Sequence, residues 1–342
     1  GLTLLLSSLR ASAQTGSSEL AAPQQAAFVD PTTLAALGQI DRKGVAPVTL
    51  NGKVETGVGQ GSFIADPNVR NPYFAWGASF VPAYYPIPAL TLSLFAKISQ
   101  EITDSEIDTE PQQVLFYDLQ VRCRYALGQI PKLGIDVFVE ARLYLPTSLV
   151  SRYETLVIAP LGRFSLIRGF GPVVLGYSFS FRKNFHLYES PVLRPDGPTP
   201  SEYARALGTE DLRGSNVAIA GNNVSFSFSN TFFVSYVPIS RLAISMYYGI
   251  SQAFTYRRYE DDEFTSQYAE AGRGQRDTGF GGLEVWFRLD KRFSFSAGMF
   301  TAASPKTENN QSFRFPFYDF HSTALNLTTF YLDVTLTEFL GG

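Results

Sequence analysis

From Val48 to Phe339 this sequence repeats with period two. The clearest stretch is RLAISMYYGISQAFTYRR. Its even positions are Leu242, Ile244, Met246, Tyr248, Ile250, Gln252, Phe254 and Tyr256, and its odd positions are Ala243, Ser245, Tyr247, Gly249, Ser251, Ala253 and Thr255. Side chains alternate faces along a β-strand, so this segment has one greasy surface and one that is small or polar. The split recurs. Leu119, Val121, Cys123 and Tyr125, preceded by Leu115 and Tyr117, oppose Asp118, Gln120, Arg122 and Arg124. Leu133 to Leu143 oppose Asp136, Glu140, Arg142 and Tyr144, and Val173 to Phe181 oppose Ser178, Ser180, Arg182 and His186. After the N-terminus no run of eighteen apolar residues occurs, so no helical span is available. A chain of this pattern can cross a membrane only as a closed barrel, because lipid cannot satisfy an open strand edge.

Twelve alternating segments are readable, near 48–58, 73–85, 88–102, 114–127, 132–148, 154–168, 170–188, 223–237, 241–257, 278–290, 292–303 and 323–339. Ten or fourteen strands also fit, since the first segment is weak and the sixth contains Pro160 and Gly162. The connections alternate between short (PIP, LGQIP, RG, PIS, DKR) and long (59–72, 103–113, 189–222, 258–277, 304–322), with a moderate one at 149–153. Short turns on one rim and long loops on the other are the signature of a transmembrane antiparallel up-and-down β-barrel, with both termini on the short-turn side. Tyr84, Tyr85, Tyr125, Tyr188, Tyr236, Tyr256 and Tyr259 fall near segment ends, where rings suit a membrane interface.

Composition narrows the functional classes. There are 29 Phe and 18 Tyr, the single cysteine excludes an intrachain disulfide and a multi-cysteine metal centre, and the net charge of −3 offers no basic stripe for nucleic acid. Cys123 reads as a small hydrophobe. Residues 1–13 carry the apolar stretch Leu2 to Leu6 and then Ala11-Ser12-Ala13, the pattern of a signal-peptide remnant. Residues 14–47, rich in Ala, Gln, Ser and Pro, read as a periplasmic tail or small plug, and residues 48–342 as the barrel.

With these strands and loops the chain resembles the bacterial outer-membrane β-barrel proteins over residues 48–342. It departs from many of them by ending TLTEFLGG, with Phe339 three residues before the end. The resemblance implies the outer membrane of a Gram-negative cell, with lipid and lipopolysaccharide as surroundings. The inward face is expected to carry Lys97, Glu101, Asp118, Arg122, Arg124, Asp136 and Glu140. It continues with Arg142, Arg163, Arg182, His186, Glu284, Arg288 and Asp333, together with Lys53 and Glu55. These rows either line a pore and shape the field on a passing solute, or pair with one another and fill the lumen.

The leading expectation is a passive porin or channel for small hydrophilic solutes. The alternatives are a closed structural or adhesion barrel acting through loops 189–222 and 258–277, and, third, a hydrolase using His321 or His186. No cofactor, metal or catalytic residue is expected. His321, Ser322 and Asn326 lack the spacing of outer-membrane phospholipases, and YEDDEF (Glu260, Asp261, Asp262, Glu263) lacks EF-hand spacing. Gly59-Gln60-Gly61 and Gly272-Arg273-Gly274 read as turn glycines rather than nucleotide loops.

Overall fold

A computed structural model describes residues 48–63, 74–103, 112, 114–191, 222–258, 272–306, 312–320 and 328–340. The signal and tail segments, His321 and the YEDDEF loop lie outside the described residues. The strands are β1 (Val48–Gly59), β2 (Phe74–Ile87), β3 (Leu90–Glu101), β4 (Val114–Phe116), β5 (Leu119–Ile130), β6 (Ile135–Leu145), β7 (Leu156–Phe170) and β8 (Val173–Lys183). They continue with β9 (Phe185–His186), β10 (Val224–Ile239), β11 (Leu242–Arg258), β12 (Gly272–Arg288), β13 (Phe293–Ala303) and β14 (Thr328–Leu340). β4 and β5 form one crossing strand, and β9 extends β8. All pairings are antiparallel between neighbours, and β1 closes on β14, giving a closed 12-strand barrel. Val48 pairs with Leu340, so the first and last strands meet at the rim of the short turns.

Followed from strand to strand through the registers, a point on β1 returns about sixteen residues away from its start. That shear sets a strand tilt of roughly 40–45° and a wall radius of roughly 12 Å.

The two faces are reversed relative to a water-soluble protein. Exposed large side chains include Leu92, Leu94, Val121, Phe179, Phe232, Ile244, Leu283 and Leu332, all on outward positions. Buried polar ones include Glu101, Gln120, Arg142, Thr231, Ser251, Glu284 and Asp333, all on inward positions. Tyr84, Tyr125 and Tyr236 are exposed on the outer face a few residues from the short-turn rim, as an interfacial belt requires. Tyr85 instead points inward, where its hydroxyl meets that of Thr49 at 3.3 Å.

Four inward glycines are occupied by rings from neighbouring strands. A Cβ on Gly176 would stand 1.9 Å from the Phe233 ring, and one on Gly249 would stand 2.3 Å from Phe280. The Tyr247 side chain fills the space at Gly282, and that of Tyr331 the space at Gly298. Each ring therefore lies against the wall instead of projecting toward the axis. Ile167, Phe233, Tyr247 and Phe280 form an inner apolar cluster along this wall.

Local chemistry sets the irregularities. The pairing of β3 shifts between Ile98↔Phe116 and Phe95↔Gln120, so Tyr117 and Asp118 form a bulge that reverses the alternation. Leu115 and Tyr117, expected outside, therefore lie on the inner side, and Phe116 is exposed. Strand β7 runs on to Phe170, and the tight turn is Gly171-Pro172 rather than Arg168-Gly169. Gly171 has φ +59°, the left-handed backbone such a hairpin needs. β8 and β9 break at Asn184, next to the stretch opposite Pro160, which has no N–H for the ladder. The moderate connection after β6 contains a single-turn helix, α1 (Leu149–Tyr153). Ser148 caps it, and the Asp118 carboxylate holds the Ser148 N–H (2.8 Å) and the Ser151 hydroxyl.

Of the connection from β13 to β14, residues 304–306 and 312–320 fold back over the outside of the wall. Pro305 lies 3.7 Å from the Cβ position of Gly279, and the Pro316 carbonyl lies 2.7 Å from that of Gly281. Both glycines are on outward positions. The Asp319 N–H donates to Thr328 Oγ1 at 2.8 Å, which in turn meets Thr301 Oγ1 at 3.1 Å. Arg314 reaches Asp319 at 3.8 Å. This strap exposes Phe313 at 79%, Phe315 at 52% and Phe320 at 74%.

Replacing Gly176 by Ala forces the Phe233 ring off the wall. The change should cost about 1–3 kcal/mol in denaturant unfolding of the detergent-folded barrel, and Phe233→Leu in the same chain should recover much of it. In the β12–β13 turn, Asp290 accepts the N–H groups of Arg292 (2.7 Å) and Phe293 (2.8 Å), which lowers its pKa. That contribution is present above the unfolded carboxyl pKa and is lost as pH falls through the lower folded one. Asp290→Ala should therefore destabilise at neutral pH, with the gap to the parent protein closing in strong acid.

Candidate functional site

Read through the pairing registers, most of the charged residues on the polar face of these strands gather at one height. Lys53, Glu55, Lys97, Arg122, Glu140, Arg142, Arg163, Arg182, Glu284 and Asp333 lie about four to nine residues from the short-turn rim of their strands. Four residues sit nearer the ends. Asp118 caps α1, Glu101 accepts the Thr103 hydroxyl at 2.9 Å, Asp136 accepts from Gln129 at 3.4 Å, and Arg288 donates to the Ser240 carbonyl at 3.0 Å. His186 Nδ1 meets the Glu154 carbonyl oxygen at 2.7 Å, and its ring stands edge-on to Tyr256.

The strands from β5 to β8 carry an arginine sector. Arg122 and Arg142 are direct cross-strand partners, and Arg124 faces Glu140, which in turn faces Arg163. Glu140 binds Arg142 through one oxygen and lies 3.9 Å from Arg163 through the other. Arg122 donates from Nε (3.0 Å) and an Nη (2.7 Å) to the neutral amide oxygen of Gln120. Aromatic faces hold these groups flat. Arg122 lies over Phe95 at 4.1 Å, Arg124 over Phe138 at 4.6 Å and Arg182 over Tyr144 at 4.3 Å. A guanidinium over a ring keeps its N–H edge available while its flat face is covered.

The sector from β12 round to β3 has the opposite bias. Lys53 bridges Asp333 at 2.7 Å and Glu55 at 3.5 Å, and Lys97 pairs with Glu55 while sitting over the Tyr117 ring. Asp333 also accepts from Ser296 at 3.1 Å, and Glu284 accepts the Tyr331 hydroxyl at 2.7 Å. Here, at mid-height, Glu55, Glu284 and Asp333 outnumber Lys53 and Lys97, while Glu101 and Arg288 sit nearer the strand ends. On the other side five arginines stand with Glu140 at mid-height, while Asp118 and Asp136 lie nearer the strand ends. Nearer the short-turn rim on β7, β8, β10 and β11 the inner face presents small hydroxyls, with Ser165–Ser178 at 2.9 Å and Ser235–Ser245 at 2.8 Å.

The charged positions follow from parity alone. Of the rings that hold them, only Tyr144 does, because Phe95, Phe138 and Tyr117 are aromatics on the polar face. An aromatic on a face otherwise rich in Arg and Ser is the available signal. Among the described residues no cluster of His, Cys, Asp and Glu suits a metal ion.

No family model matches the chain, and neither does any curated protein. Solved structures do. An outer membrane channel from Pseudomonas putida F1 aligns with a TM-score of 0.50 at 8% identity, covering 88% of this chain and 98% of that one. The KdgM porin in complex with disordered oligogalacturonate aligns at 0.40 and 7% identity, covering 84% and 98%. The CymD monoaromatic hydrocarbon channel aligns at 0.40 and 10%, covering 93% of each. At these identities the first likeness shows the fold: a closed outer-membrane-type β-barrel.

Removing one member of the Lys53 group tests how far it supports the wall. Lys53→Met leaves Asp333 inward and buried without its ammonium, and should lower stability by about 1–3 kcal/mol. The double variant Lys53→Met with Asp333→Leu should recover most of that loss, since paired removal leaves no orphaned charge.

Proposed function

We propose that the protein is a passive channel of the bacterial outer membrane for small hydrophilic solutes, with the charged belt at mid-height as its selective zone. The observation that carries this is the treatment of the inward aromatics. Phe233, Tyr247, Phe280 and Tyr331 each lie over a neighbouring glycine, flat against a wall of roughly 12 Å radius. A barrel built to be filled would gain packing by turning such rings toward the axis. The exposed apolar belt and the loop asymmetry support a place in the membrane, and the segregated charges support an aqueous interior. The closed-lumen reading draws on the Lys53–Asp333 and Glu140–Arg142 pairs. Those pairs run along the wall between neighbouring strands or within one strand, so they hold the wall without spanning the lumen.

The test is conductance across a planar lipid bilayer. Purified, folded barrel should give discrete, ohmic steps. A membrane that stays sealed although circular dichroism and protease resistance show folded protein would favour the closed structural barrel.

A further inference from the structure

We infer that the arginine sector is a binding site for small anions bearing carboxylate or phosphate groups, centred on Arg122 and Arg142. The inference rests on the channel reading only for how the ligand arrives.

The first observation is a pairing that the fold does not need. Arg122 and Arg142 are direct cross-strand partners on the inner face. Like charges in that position are destabilising. A small polar residue at 122 would keep the alternation and relieve the repulsion. The second is the distribution of neutralising groups. Glu140 is bound to Arg142 and is shared with Arg163. Among the described residues, the hydrogen-bond acceptor of Arg122 is an amide oxygen, so its charge stays in excess there.

The third is orientation. Phe95 covers one face of the Arg122 guanidinium at 4.1 Å, and Gln120 anchors two of its N–H groups. The group is thereby fixed in place before any ligand arrives, which lowers the ordering cost of binding. A planar fork presented this way matches the two oxygens of a carboxylate or phosphate. The acidic sector from β12 to β3 adds the other half of the field. An anion crossing the belt is repelled there and drawn to the arginine side, while a cation meets the reverse.

Two readouts test this. In a planar bilayer under a potassium chloride gradient, the reversal potential should show preference for chloride. Arg122→Gln should reduce the anion-to-cation permeability ratio at least two-fold, and Arg122→Lys should keep most of it. In detergent micelles, saturation-transfer NMR with succinate should give a signal for the parent protein that falls several-fold in Arg122→Gln. Because the substitution removes one of two facing like charges, the variant should fold at least as stably as the parent, which thermal unfolding checks.

Conductance without anion preference, or a ratio and succinate signal unchanged in Arg122→Gln, overturns the anion site and leaves the channel standing. A sealed bilayer with succinate binding that is lost in Arg122→Gln overturns the channel and keeps the site. Equal effects of Lys and Gln at position 122 would show that charge is not the cause, and would also overturn it.

Discussion

The structure depends on one requirement: each strand must find a hydrogen-bonding neighbour on both sides in a medium that offers none. The β1–β14 pairing, twelve residue pairs from Val48↔Leu340 to Gly59↔Thr329, meets it by joining the ends of the chain. Once the wall is closed, no edge is left to lipid. The outer face can then be apolar throughout, and the inner face can collect the polar groups. The reversal of burial, with leucines exposed and carboxylates buried, follows from closure. It would be ruinous for an open sheet in water.

Closure also explains the glycines. A strongly sheared wall brings inward side chains of adjacent strands close together, and a ring needs somewhere to lie. Gly176, Gly249, Gly282 and Gly298 each provide a recess beside an aromatic. The same device recurs among the arginines, where Phe95, Phe138 and Tyr144 act as flat supports. Inward aromatics on this wall are therefore fittings rather than filler, and the charged groups stand in positions fixed from two sides.

Much of the architecture was legible because a barrel strand has one strong signal, its parity. Arg122, Arg142, Arg163 and Asp333 could be assigned to the inner face from alternation alone, and the loop lengths called for an even number of strands while leaving ten, twelve or fourteen open. Parity fails where a residue is inserted. The bulge at Tyr117 and Asp118 turned Leu115 and Tyr117 inward, since one extra residue reverses every position before it. Tyr85 was misread because a tyrosine near a strand end suits either face, and only its pairing with Thr49 decides. Partnership was the least legible part. The sequence places Arg122 and Arg142 on adjacent strands, but only the register sets them directly opposite each other.

The strap between β13 and β14 gives the barrel a front and a back. Over most of the circumference the surroundings touch strand side chains. Across β12 to β14 they touch Phe313, Phe315 and Phe320 on a connecting segment instead. How the molecule seats itself against its neighbours on that side is therefore encoded in a loop, the part of a barrel that tolerates change most readily. A lineage of such proteins can alter its fit to the surrounding membrane by editing residues near 305–320, while the charged belt inside keeps its geometry.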